Sequence, residues 1–125
     1  MAEKSLGVFE FGYHRIEVFV DTAKCGGEFY GLPKGGGFPK IVVGIDHQSY
    51  EWSQCVSVLM HEVFEFLMAI QGLRYQPAPG MSWGSDRYVF NFDHNQFSEL
   101  VTSAADGLVA VMPKLAKAFK SKKAK

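Results

Sequence analysis

Apolar and polar positions along this chain change period several times, and each change marks an element. V-F-E-F and H-R-I-E-V-F-V alternate with period two around Gly12-Tyr13. That pattern predicts two strands joined by a tight turn, or one long bent strand, with Ile16, Val18 and Val20 on a shared face. Alternation then stops. CGGEFYGLPKGGGFPK has the glycine and proline density of a loop, holding a short strand at Glu28 to Tyr30. KIVVGID, Lys40 to Asp46, is a β-branched run of the kind found in buried strands.

A helical period follows. The spacing predicts a helix from about Tyr50 to Gln71, capped by Ser49, with Glu51 in its first turn and Gly72 as its stop. RYQPAPGMSWGSD reads as a loop, and YVFNF, Tyr88 to Phe92, as a strand. Asp93 or Asn95 then caps a second helix. Phe97, Leu100, Val101, Ala104, Leu108, Val111, Met112 and Leu115 recur at helical spacing and predict its inward face, while Pro113 is expected to kink or end it. KSKKAK, following Phe119, reads as a basic, flexible tail over about 120–125.

The 125 residues are 47% hydrophobic, enough apolar mass for one domain spanning 1–125. Thirteen basic and thirteen acidic residues balance, which argues against nucleic-acid binding through phosphates, since that mode needs a basic surface. No charged leader precedes an apolar core, and no uninterrupted apolar run approaches the ~20 residues of a membrane span. A soluble, cytoplasmic protein without membrane contacts is the expectation. Cys25 and Cys55 lack metal-type spacing and read as free thiols. KGGGFPK lacks the order of a phosphate-binding loop, and no G-x-S-x-G nucleophile motif occurs.

The chemistry concentrates in VLMHEVFEFLMA, Val58 to Ala69. At ~100° per residue, Gln54, Ser57, His61, Glu65 and Gly72 fall in one stripe of the first helix, with Glu62 at its margin and apolar side chains around the rest. A solvated helix face of this length normally carries lysine or arginine, yet none occurs between Tyr50 and Leu73. His61 and Glu65 at i,i+4 sit one turn apart, so a ring nitrogen and a carboxylate oxygen can bind one ion, with Glu62 as base for its water. The bland reading is a surface hydrogen-bonded pair. A metal needs a third ligand, for which His94 at the strand end is the first candidate and His47 the next; Asp46 and Asp93 are weaker.

Strands around GYHRIEVFV, a glycine-bearing EFYG turn, KIVVGID and a helix with VLMHEVFEFL together resemble the minimal zincin-like fold. Small metallopeptidases and many phage and prophage proteins share that fold, and YVFNFDHNQFSEL after RYQP is similar to the phage-type group in particular. The resemblance spans most of Gly12 to Leu115. It implies an α+β domain, a small antiparallel or mixed sheet against two main helices, in which His61 binds metal and Glu62 activates water. The second histidine of the zincin motif is replaced by Glu65. An added carboxylate makes the site more negative and less Lewis-acidic; zinc is still the first expectation, with manganese or iron as the alternatives this carboxylate favours.

Two function classes stand at this point. One is a divalent-metal protein built on His61, Glu65 and His94 with Glu62 as catalytic base, performing peptidase-like hydrolysis in a host cytoplasm. The other is a non-catalytic phage protein that retains the fold and binds a host or viral protein, through aromatics such as Tyr75, Trp83 and Tyr88. A cleft beside the Cys25 to Lys40 segment suits an extended peptide.

Overall fold

The structure is a computed structural model that describes residues 3–31, 36–46, 51–75 and 89–124. Its opening alternation forms two strands, β1 (Glu3–Phe11) and β2 (His14–Asp21), paired antiparallel from Phe11↔His14 to Glu3↔Asp21. A short β3 (Gly27–Tyr30) and β4 (Lys40–Gly44) complete a sheet of order β1-β2-β4-β3. The chain first lays β3 at the edge and then returns β4 into the gap, parallel to β2 and antiparallel to β3. The sheet is therefore mixed, and β3 has one free edge.

Helices α1 (Trp52–Ile70) and α2 (His94–Ala124) contribute to one core with one face of this sheet. Period-two alternation places Ile16, Val18, Val20, Ile41 and Val43 in that core. Cys55, Leu59, Val63, Phe66 and Leu67 meet it from α1, and Leu100, Ala104, Val111 and Leu115 from α2. The architecture is α+β, with a small mixed sheet and two helices. On the opposite face Lys40 pairs with Glu3 at 2.7 Å and lies 4.5 Å from the Phe19 ring centre.

Helix ends follow local chemistry. Ser49 lies outside the described residues, and the N-cap position is Glu51, whose N–H donates to the Gln54 side-chain oxygen at 2.8 Å. Gly72 (φ 74°) takes the left-handed turn that lets the chain leave α1 after Gln71. Asp93 caps α2 by accepting from the Gln96 N–H at 2.9 Å, while its own N–H donates to the Gln96 side chain at 2.8 Å.

Several expectations are corrected. Arg74–Tyr75 is a strand, β5, paired antiparallel with β6 (Val89–Phe90), so the stretch read as a loop begins with two strand residues. Pro113 does not end α2, which continues to Ala124 and takes Lys120 to Lys123 into the helix. Proline removes one backbone donor but leaves neighbouring turns closed, and Pro113 lies on the exposed side. Phe97 and Val101 are 47% and 41% exposed despite their helical spacing, and Leu100 and Ala104 are the positions of these turns that reach the core. Helix α1 is long and apolar enough to match a membrane span in length and composition, while its inner face packs in the core.

Candidate functional site

Two sides of α1 are polar in different ways. Gln54, Ser57 and His61 are exposed as the helical wheel predicts, and Glu65 is half-buried. The His61 Nε2 lies 3.0 Å from Glu65 Oε2, one turn along, and 3.7 Å from Glu62 Oε2. Three chemistry-bearing groups thus meet at one imidazole nitrogen. His61 and Glu65 border a groove of about 690 Å³ whose other walls are Ser57, Met60, Phe64, Met68 and Phe90 of β6, while Glu62 is buried and is not among the lining residues.

Glu62 departs from its wheel position. The wheel puts it at the margin of the exposed stripe, yet it is 7% exposed. Its cover comes from β3: a Cβ on Gly27 would stand 2.7 Å from Glu62 Cγ and 2.8 Å from Val58 Cγ1. Only glycine lets the edge strand approach this closely. Removal from water raises the Glu62 carboxyl above its ordinary value; His61 opposes the rise, and Glu65 and Glu28 add to it. Glu28 itself is held low, first by its hydrogen bond with Lys24 at 2.9 Å, so it remains a charged neighbour.

This burial makes a testable statement about the metal-free protein. Glu62 has a folded pKa raised above 4.5, so its stabilising contribution is present below that value and is lost as pH rises through the folded pKa. In chelator, Glu62→Gln should therefore melt higher than wild type at pH 7, by roughly 4 °C for a relief of ~1 kcal/mol. The gap should close as pH approaches 4.5, the unshifted value. Melting curves of both proteins across pH check this, and a gap independent of pH would disprove it.

The other expected site residues fall as follows. His94 is the first residue of α2, and among the described residues no three His, Cys, Asp or Glu side chains gather as a metal-ligand group. Among the described residues, His61 and Glu65 are thus joined by Glu62 alone, and the three do not form such a group. His47, Trp83 and Tyr88 lie outside the described residues, as does the side chain of Tyr75. Tyr13 is fully exposed at the β1–β2 turn. Cys55 is buried and its thiol is pushed up to about 11 by desolvation, which makes it a poor nucleophile, while Cys25 is an exposed free thiol.

Sequence reasoning missed Gly27, Glu28 and Phe90 as parts of the site. Gly27 and Glu28 belong to the glycine-bearing EFYG region, whose paired glycines signal a close backbone approach without naming the side chain approached. Phe90 enters because its strand pairs with the segment leaving α1. No protein-family model, curated protein or solved structure matches this chain.

Proposed function

We propose that the α1 groove is a divalent-metal site of zincin-like build, serving peptidase-like hydrolysis, with His61 and Glu65 as ligands and Glu62 as base. The observation that carries the reading is an i,i+4 histidine–carboxylate pair lining an open groove, with the buried Glu62 carboxyl 3.7 Å behind the imidazole nitrogen. Ions bound at about 2.0–2.2 Å in tetrahedral geometry hold two ligand atoms roughly 3.4 Å apart. The 3.0 Å contact between Nε2 and Oε2 needs only a slight opening to reach that span.

A bound zinc, manganese or iron would supply Lewis acidity and a water of lowered pKa. Glu62 contributes what its burial supports: a carboxyl of raised proton affinity that can accept a proton and return it to a leaving amine. The third ligand is assigned to His94, with His47 as the alternative. Support for the zincin-like build lies in the order of strands before the motif helix and in edge strand β3 lying against Glu62. The phage or prophage setting, and with it the host cytoplasm, rests on the sequence resemblance.

Elemental analysis of protein purified without a metal-chelating tag tests this directly. Near-stoichiometric metal should be present in wild type, absent in His61→Ala, and retained in Glu62→Gln, which should lose turnover on peptide substrates by about 100-fold or more. Loss of metal in His94→Ala or His47→Ala identifies the third donor. A wild type that takes up no zinc, manganese or iron would sink the metal reading.

A second reading, a non-catalytic protein-binding domain, is favoured by one observation. Met60, Val89, Phe90, Phe92, Phe97 and Val101 are all exposed around α1, β6 and the start of α2, and the Phe92 and Phe97 rings stack at 5.8 Å. Exposed aromatics of this kind are typical anchors for a partner. Under this reading His61→Ala and Glu62→Gln leave partner binding intact.

A further inference from the structure

A second groove lies away from α1, between the start of β1 and the last turns of α2, with a volume of about 530 Å³. Its floor is apolar: Leu6 on β1, Val20 on β2, Ile45 after β4 and Ala118 on α2. Its walls carry three ammonium groups, Lys4, Lys114 and Lys117, and among the described residues no Asp or Glu lines it. Two elements supply these lysines. Lys4, Ser5 and Leu6 reach it together from β1, where the pairing register shifts between Ser5 and Gly7, and positions 114, 117 and 118 share a face of α2 at i, i+3, i+4.

In a chain whose thirteen basic residues balance its thirteen acidic ones, three lysines around one groove without an acid is a local imbalance. No carboxylate among the described residues pairs with any of them. Lys114 is instead laid across β1, with Nζ 3.4 Å from the Leu6 carbonyl oxygen and 5.3 Å from the centre of the Phe9 ring. That contact holds the ammonium over the groove wall and leaves its other donors free. The volume falls within the ~300–1,000 Å³ of small-molecule sites, which combine an apolar lining with a few charged groups that orient the ligand.

We propose that this groove binds a free amphiphilic carboxylate, an unbranched alkyl-chain acid whose tail lies on Leu6, Val20, Ile45 and Ala118. Its carboxylate meets Lys114 and Lys117, with Lys4 closing the opposite wall. The tail gains from leaving water against an apolar floor, and the head gains charge-assisted hydrogen bonds that neither lysine makes to an acid within the described fold. None of these residues belongs to α1, so the inference stands apart from the metal reading.

Titration calorimetry of the full chain with monomeric decanoate tests it. Binding is expected, and Lys114→Gln/Lys117→Gln should weaken it about ten-fold or more, the size of a lost charge-assisted hydrogen bond. Lys120→Gln, outside the lining, should leave it unchanged. Ala118→Trp should block binding by filling the floor, and circular dichroism confirms that each variant folds. Should Ala118→Trp not fold, the lysine pair still decides the question. Decyltrimethylammonium shares the tail and inverts the head, acetate keeps the head alone, and both should bind far more weakly. Equal binding of either would overturn the proposal. So would no decanoate binding, an unaffected lysine double variant, or association with anionic phosphatidylglycerol vesicles without binding of the monomer.

Discussion

Phe66→Ala should cost this protein about 3–5 kcal/mol, the range for emptying a buried phenylalanine site. Phe66 is fully buried on the inner face of α1 and meets the Phe29 ring of β3 edge to face, with centres 5.3 Å apart. It fastens the motif helix to the edge strand. A loss of that size is a large share of the ~5–15 kcal/mol that stabilises a typical domain, so the variant should unfold at much lower urea concentration. Phe66→Leu, which keeps most of the volume, should lose less than half as much. Beyond stability, Phe66 sits one turn from Glu62, and loosening α1 from β3 admits water to the carboxyl. Urea melts of wild type, Phe66→Ala and Phe66→Leu decide the matter. A loss under ~1 kcal/mol for the alanine variant would mean that the helix is held elsewhere.

What was legible beforehand depended on how local the cause was. Ile16, Val18 and Val20 fall on one buried face because alternation is a property of one strand, and the sequence carries it whole. The His61–Glu65 pair was legible for the same reason, since i,i+4 contact needs nothing beyond the helix itself. Glu62 was misplaced at a margin because its burial comes from Gly27, thirty-five residues earlier, and a helical wheel contains no neighbouring strand. Phe97 and Val101 failed in the opposite direction: their spacing is helical and apolar, but a wheel does not say which apolar positions meet the core, and here Leu100 and Ala104 do. Pro113 weakens a helix locally, yet Val111, Leu115 and Phe119 around it are buried and α2 continues past it.

Gly44→Ala should cost about 3 kcal/mol, near the upper end of what overpacking a tight site does. Gly44 ends β4, and a Cβ built there stands 2.5 Å from the Lys24 carbonyl oxygen and 2.8 Å from that of Gly26. Both are backbone atoms, so no rotamer change relieves the contact. The segment is also pinned by hydrogen bonds, from Gly44 N–H to the Gly26 oxygen at 2.7 Å and from Asp46 N–H to the Lys24 oxygen at 2.9 Å. Adding one methyl group must displace the Lys24–Gly26 backbone and strain both bonds. Gly27 follows at once, and it is the residue whose bareness lets β3 cover Glu62. The displacement should therefore expose Glu62 and bring its raised pKa back toward the ordinary carboxylate value, while His61 and Glu65, joined within α1, keep their contact. Two measurements separate these effects: the urea midpoint for stability, and the pH dependence of melting with and without Glu62→Gln for the carboxyl. If Gly44→Ala lowers stability but leaves the Glu62 contribution to the pH dependence intact, then the cover over Glu62 does not depend on the Lys24–Gly27 backbone.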